Sequence, residues 1–585
     1  DGVGHGGAGD EAVQDHGVAV ASGSGCVGDG IVQQRCDPFD VKKGQAVYDA
    51  MGVPSPSAPA VEGFFVKNDG QDECIEVRQT GPGGETSEEE EPGILRPKFG
   101  HGRLGRGAPL STFQSGKRRP FQDGAGLCSP GRWAPEDRAT CALATKMKAA
   151  LMSLLCSRFD LLDLACRMAH GACKTCPFDD EIIKQGRELL LTSVGAKMGI
   201  HVDAGIFEAA CGQPFLLNLL EFVARVLGDP DWRVLRRSPN NYTDGVSVGF
   251  DDKLPRTPAV YEKKVRWRKY EATDYILEDR SNYSSIELAA EKAKEQFEKE
   301  VGEGLMVKTT EEAARKEYGD RLRIAPQGAI AKGDGSYRAI HDGTHGPAVN
   351  PNLKVRDQVR YPGGGELKKV LLALKKLPGP SFGLSADVSR AHRRFKHRKK
   401  DWGLLACRLL GVLYLNCVGT LGVGCASYYW GRLFAIMGRT TIALAARDQV
   451  WQLIFADDLN VLAKGVDGIR TSVMIIFVMV LFGTPFSWPK LRGGFCYGWV
   501  GLEIDLTGYR LGITLGRAQW LKDWLSGVLE RRGVLVRDLA AVLGRLSFAA
   551  GPLERIRPFL SPIYAWTAVA PGSAYMVPPL TCCFA

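Results

Sequence analysis

The chain has 585 residues, 44% of them hydrophobic and 24% charged, with a formal net charge of +9. This composition excludes a chain too polar to bury a core and leaves room for roughly three or four domains of ordinary size. The most apolar run, "VMIIFVMVLF" (473–482), is too short to span a bilayer and reads as a buried helix or strand, so no membrane partner is expected. The 16 cysteines are scattered, which suits a reduced, intracellular protein.

Residues 1–130 hold 25 of the 70 glycines, with "GPGGETSEEEEPG" and "GHGRLGRG" among them. Such a segment buries too little apolar surface to offset chain entropy, so 1–135 is expected to be disordered. From 140 to 235 the pattern turns helical: "KMKAALMSLLCSRFDLLDLACRMA" and "PFLLNLLEFVARVLG" repeat apolar residues at helical spacing. This predicts a small helical region. Within it, "CRMAHGACKTC" offers Cys166, His170, Cys173 and Cys176. A C-x-x-C pair suits zinc, yet the usual second half a dozen residues away is missing, and ordinary thiols are the competing reading. "YEKKVRWRKY" (261–270) interleaves basic and aromatic residues, as a nucleic-acid contact or a solvated strand would. "SSIELAAEKAKEQFEKEVGEG" (284–304) predicts one helix, capped by Ser284 or Ser285 and stopped at Gly302.

Beyond residue 320, short β-like runs alternate with helical ones. "SFGLSADVS" (381–389) reads as a strand running into Asp387, and "WQLIFADDLNVLAKG" (451–465) as a hairpin whose two-residue tip presents Asp457 and Asp458. Asp is common in turns for local reasons. Three acids meeting at one point would nevertheless repel by several kcal/mol unless divalent cations bind. Hard oxygen ligands suit Mg2+ or Mn2+, and a pair of such ions supports nucleotidyl transfer. "AIAKGDGSYRAIHDG" (329–343) places Lys332 and Arg338 on either side of a turn, as phosphate contacts or as an exposed charged hairpin. Residues 381–408 carry eight Lys or Arg against two Asp. That excess predicts attraction to a polyanion through Arg393, Arg394, Lys396, Arg398, Lys399 and Lys400. A solvated face is the alternative.

Taken together, the segment 320–515 resembles the fingers and palm of a reverse transcriptase. "FADD" (455–458) resembles the family's aromatic-x-Asp-Asp box, and "ADVSRAH" (386–392) its first palm motif. "GTLGVGCASYYWGRL" (419–433), with Gly422, resembles the loop and helix behind template and nucleotide. "FSWPK" (486–490) puts Lys490 at the position of the family's proton-donating lysine, and "GWVGLEIDLTGYRLGIT" (498–514), with Trp499 and Gly501, resembles the primer-side hairpin. "KGDGSYRAIHD" resembles the fingers segment, so Lys332 and Arg338 become triphosphate contacts and Asp342 a supporting residue. The order of the motifs is more specific than any one of them.

The resemblance implies an α+β right-hand fold: fingers and an antiparallel palm sheet backed by helices over 255–515, thumb helices over 516–570, and an unstructured tail over 571–585. It implies an RNA-directed DNA polymerase of a retrotransposon, closest to DIRS-type elements. Two Mg2+ or Mn2+ ions would be held by Asp387, Val388, Asp457 and Asp458. The partners would be an RNA template, a DNA or RNA primer and dNTPs. The family carries Tyr or Phe where His392 stands, so sugar choice rests on His392. Two rival readings stay open: an RNA-dependent RNA polymerase, and a decayed element that only binds nucleic acid.

Overall fold

The computed structural model describes residues 138–198, 204–209, 212–257, 261–263, 269–332, 336–359, 361–445, 449–531, 533–569 and 575–576. The expectation for 1–135 lies outside them. The chain is a mixed helix and strand protein.

Four helices come first: α1 (Arg138–Cys156), α2 (Leu161–Ala169), α3 (Asp180–Met198) and α4 (Leu217–Val226). Asp160 caps α2, its carboxylate accepting from the N–H of Leu162 at 2.9 Å and of Asp163 at 3.3 Å. Among the described residues, α1 alone is long and apolar enough to cross a membrane, but Leu143, Met147, Leu151 and Leu155 turn one face of it into the protein core.

Strand β1 (Tyr261–Lys263) precedes two helices, α5 (Ser284–Glu287) and α6 (Ala290–Gly302). The single helix expected over 284–304 is therefore broken at Leu288–Ala289. Its serines are not the cap: Tyr283 holds that position, and the Ser285 hydroxyl accepts from the Ala329 N–H at 3.1 Å. Then come β2 (Met306–Thr309), α7 (Glu311–Tyr318), β3 (Ile324–Ala325), the hairpin β4 (Gln327–Ala331) and β5 (Tyr337–His341), and β6 (Asp357–Val359), which pairs with β1. The first basic residue of "YEKKVRWRKY", Lys263, thus sits in a strand pair, and 264–268 lie outside the described residues.

Helix α8 (Gly364–Lys375) leads into β7 (Ser381–Asp387), then β8 (Ala406–Leu409), β9 (Val412–Asn416) and α9 (Ala426–Leu444). Strands β2, β9, β8 and β3 make one four-stranded sheet. Next are β10 (Val450–Phe455), β11 (Asp458–Lys464), α10 (Gly465–Leu481) and β12 (Arg492–Gly494). The central sheet is antiparallel, in the order β10-β11-β7-β12. A three-stranded meander follows, of β13 (Cys496–Trp499), β14 (Leu502–Asp505) and β15 (Arg510–Ile513). Helix α11 (Leu515–Arg531), strand β16 (Val534–Leu535), and helices α12 (Val536–Ala549) and α13 (Arg557–Val569) follow it, packing around Val528, Leu539, Leu543 and Ile563. The tail expected to be unstructured contains β17 (Tyr575–Met576), antiparallel to β16. Val534 in that pair is buried, so an apolar edge gains a partner strand.

Helix α10 contains the "VMIIFVMVLF" run and is buried on every side from Ile469 to Leu481 except Arg470. A helix apolar all round needs cover on both faces. One face lies on β11, β7 and β10, and the other is covered by α1, α2 and α3. The contact with α3 is close: a Cβ on Gly186 would lie 2.8 Å from the Phe477 ring, and Arg187 Nε donates to the Leu481 carbonyl at 3.0 Å. Hence the helices of 140–235 have no core of their own. Leu151, Ile182, Leu220, Phe477 and Leu384 belong to one cluster. Two buried ion pairs add to this union. Arg439 Nε meets Asp229 at 2.6 Å and Arg432 Nε meets Asp231 at 2.7 Å, tying the loop after α4 to α9.

Candidate active site

The site lies at one end of the central sheet, and strand register places it there. Asp458 is the first residue of β11 and pairs directly with Asp387, the last residue of β7. Residues directly opposite in an antiparallel pair share a face. The hairpin tip is Ala456–Asp457, not the two aspartates, because Phe455 and Asp458 already close the ladder. Ala456 adopts φ 52°, a left-handed conformation that a non-glycine residue holds only when its surroundings impose it. Here Trp430 Nε1 donates to the Ala456 carbonyl at 2.9 Å. The tip is tied to β7 as well, because the Val388 N–H donates to the Asp457 carbonyl at 3.1 Å.

Three half-buried carboxylates thus share one end of two strands. Burial first, then Asp457 and Asp387, push the Asp458 carboxyl up to about 7. Burial and Asp387 likewise raise Asp457. Asp387 has a direct counter-ion, Lys490, whose Nζ lies 2.8 Å from its Oδ2. That bond raises the lysine above its ordinary range. Arg338 approaches from the β4–β5 hairpin, is exposed, and projects its charge onto both Asp457 and His392. Burial and then Arg338 hold His392 below the usual histidine range, and its Nε2 is 3.4 Å from the Ser427 hydroxyl.

A cavity of about 220 Å3 opens here, lined by Ser385, Asp387, Asp458, Lys490, Arg492, Gly498, Trp499 and Val500. Among the described residues, no group of three His, Cys, Asp or Glu side chains is arranged to hold a metal ion as it stands. Asp387 is engaged by Lys490. The chemistry of the donor set nevertheless fits a hard divalent cation. It offers carboxylate oxygens held short of full neutralisation, and the Val388 carbonyl, to which none of the described residues donates.

Other expected residues have different surroundings. Lys332 is exposed and forms no ion pair with a described residue, while 333–335, the tip beside it, lie outside those described. Asp342 belongs to a second cavity of about 390 Å3. Burial pushes its carboxyl up. Hydrogen bonds from the Tyr283 hydroxyl at 2.6 Å, from His345 and from the Thr344 and His345 amides outweigh that, and hold it low. Gly422, at φ 107°, is a packing residue: a Cβ there would overlap the His341 carbonyl oxygen. It thereby seats β5 against the loop, where the His341 N–H donates to Leu421 O at 3.0 Å. Trp499 is buried beside Trp451, Leu453 and Leu462, so only its edge reaches the cavity. Val500 and Gly501, both at positive φ, make the tight turn after it.

Much of the basic stretch is engaged within the fold. Arg393 is buried against Glu300 and donates to Asn416 Oδ1 at 2.6 Å. Arg398 pairs with Asp401 at 3.3 Å and Asp252 at 3.7 Å, and Lys399 with Glu317 at 3.0 Å. Arg394 donates to the Ser389 carbonyl at 2.7 Å, and burial with Arg390 beside it lowers it to about 10. Lys396 and Lys400 remain without an ion pair to a described residue, and only Lys400 of the two is exposed. Acidic residues distant in sequence neutralise most of the excess. In the Cys–His group, Cys166 faces the core, burial raises it to about 11, and the His170 ring bonds the Cys166 carbonyl at 2.8 Å. Burial also raises Cys173 and Cys176.

Sequence reasoning missed Arg492, Ser385 and Val500. The signal for Arg492 was a second cation only two residues after Lys490.

No family model matches the chain, and no curated protein matches it. Among solved structures it is similar to a foamy viral protease-reverse transcriptase in complex with double-stranded DNA, at 15% identity over 55% of this chain and 51% of that one, with a TM-score of 0.38. The same viral protein in complex with RNA/DNA hybrid gives 16% identity over 55% and 39%, with a TM-score of 0.38. The native protease-reverse transcriptase of prototype foamy virus gives 13% over 55% and 38%, at 0.31. The chain spans about half the length of these proteins or less. Similarity at this level says nothing about activity.

Proposed function

We propose that the chain is a template-directed nucleotidyltransferase, an RNA-directed DNA polymerase of a mobile element. The observation that carries this is the Asp458–Asp387 register, with Asp457 at the adjoining tip and Lys490 and Arg338 on the same end. Three carboxylates facing two cations suit a reaction between a hydroxyl and a polyphosphate. In this reading the central sheet is the palm, the β2-β9-β8-β3 sheet with the β4–β5 hairpin forms the fingers, and α11 to α13 form the thumb.

Asp387, Asp457, Asp458 and the Val388 carbonyl would hold two Mg2+ or Mn2+ ions, which activate the attacking oxygen and stabilise the leaving one. The remaining work belongs to side chains. Arg338 orients the nucleotide triphosphate from the hairpin side, with Lys332 further along the same hairpin. His392, largely neutral at pH 7 because of burial and Arg338, sits below the sugar and sets its discrimination. Lys490 keeps its proton at Nζ at neutral pH, since its partner raises it, and delivers that proton to pyrophosphate as it leaves.

Primer extension on an RNA template with Mg2+ tests this, comparing dNTPs, rNTPs and an Asp457→Asn variant. Wild type should extend with dNTPs, and the variant should lose about 10³-fold in rate, the worth of several kcal/mol of charge stabilisation. Equal extension by wild type and variant would remove the catalytic assignment. Preference for rNTPs would make the protein an RNA-directed RNA polymerase.

A further inference from the structure

The geometry points to Arg492 as the contact for a backbone phosphodiester of the strand that presents the reacting hydroxyl, held in place by the turn at Gly171. This rests on the function proposed above. Arg492 opens β12 and pairs directly with Ser385, two residues before Asp387 on β7. Direct partners share a face, and so do residues two apart on a strand. The guanidinium is therefore on the carboxylate face, and it lines the same cavity as Asp387 and Asp458. Even so, it pairs with neither. Its Nη1 donates to the Leu491 carbonyl at 2.6 Å and the Pro489 carbonyl at 2.8 Å. Its Nε and Nη2 have no acceptor among the described residues. An exposed arginine with a free donor edge, in a cavity whose nearest acid is taken by Lys490, fits an anion from outside.

A distant part of the chain leaves the room that the guanidinium occupies. Gly171 follows α2 at φ 66°, and a Cβ there would overlap Arg492 Nη1, lie 3.2 Å from its Cζ and 3.3 Å from the Leu491 carbonyl. The turn is fixed by the Gly171 N–H bond to Met168 O at 3.0 Å, and Lys174 Nζ donates to the Gly171 carbonyl at 3.2 Å. The helical region that covers α10 thus also backs the cation beside the carboxylates. Gly171 is a positioning residue, and Arg492 is the one that touches the ligand.

The two sides of the carboxylates separate the two phosphate-bearing reactants. Arg338 acts on both Asp457 and His392, and the nucleotide is assigned to that hairpin side. Arg492 shares its cavity with Asp458, Gly498 and Val500, on the meander side. An end carrying a hydroxyl at the aspartates brings its next phosphodiester to the cationic wall of that cavity.

The test uses the full chain and a fluorescent DNA primer on an RNA template, with affinity measured over a range of salt and the nucleotide KM measured separately. Arg492→Gln should weaken primer–template binding roughly tenfold at low salt, as loss of a charge-assisted hydrogen bond does. It should also lower the slope of log affinity against log salt by about one, with the nucleotide KM unchanged. Arg492→Lys should restore the slope. Gly171→Ala should reproduce the Arg492→Gln binding defect with Arg492 intact. If that variant fails to fold, the two Arg492 variants decide. An unchanged salt slope in Arg492→Gln, or a raised nucleotide KM with normal primer binding, overturns the assignment. The two readings fail separately: a wild type that binds and shows the slope change but never extends sinks the polymerase reading alone. A wild type that extends while Arg492→Gln keeps the full slope sinks this one alone.

Discussion

Asp458→Asn should stabilise the cation-free protein at alkaline pH and leave it unchanged in acid. The folded protein holds this carboxyl at about 7, against an ordinary 3.8, because burial, Asp457 and Asp387 all oppose its charge. Such a displacement disfavours the ionised form by about 4 kcal/mol, shared among the coupled carboxylates. Asp458 lines an open cavity, so solvent reduces the measurable part to about 2 kcal/mol. The folded state binds the extra proton between pH 4 and 7. Stability therefore falls as pH rises through that window, and the full penalty is present above 7. Asparagine resembles the protonated acid and carries no such penalty. In EDTA, thermal melts should give equal midpoints for wild type and variant at about pH 3, below the ordinary carboxylate value. At pH 8 the variant should melt about 2–4 °C higher. Added Mg2+ should recover the difference in wild type only, with an apparent affinity that drops about tenfold per pH unit below 7. A variant that melts at or below wild type at pH 8 would refute the claim that the carboxylates repel one another.

Three further outcomes follow from particular contacts. Gly422→Ala should cost about 2–4 kcal/mol through its left-handed backbone and the overlap with His341, and thermal melts together with the nucleotide KM would register both the loss and a displaced Arg338. Asp229→Ala leaves Arg439 buried and unpaired, and chemical denaturation should show a loss of about 3–5 kcal/mol, much of it recovered by adding Arg439→Met. His392→Tyr should raise the preference for dNTPs over rNTPs by roughly 10–200-fold in kcat/KM, the range a steric fit supplies.

Much of the site was legible because its signals are local. Short apolar runs marked β7, β10 and β11, and turn chemistry marked the hairpin between the last two. The acids at their ends were readable as a group once both strands were placed. The exact tip was not. Asp457 occupies it with Ala456 because Trp430, on a helix 26 residues earlier in the chain, holds the alanine carbonyl in a conformation alanine does not favour alone. The ion pairs of the basic stretch were hidden for a related reason. Arg393, Arg398 and Lys399 find Glu300, Asp252, Asp401 and Glu317, three of which lie about 80 to 150 positions away. A count of charge along a segment cannot see partners that folding supplies. The helices over 140–235 were readable as helices, but their burial partner was not. Only the all-round apolar surface of α10 hinted that something must cover its far side.

These non-local features share one physical origin. Three half-buried carboxylates repel, and a hairpin tip alone would splay to relieve that repulsion. The tip is held by Trp430 on α9 and by the backbone of Val388. Helix α9 is fixed in turn by Arg432 and Arg439, whose carboxylate partners belong to the loop after α4. Helix α10 stiffens the strands from below only because α1, α2 and α3 cover it. The N-terminal helices therefore supply the rigidity that keeps like charges together. Lys490 completes the arrangement by neutralising Asp387.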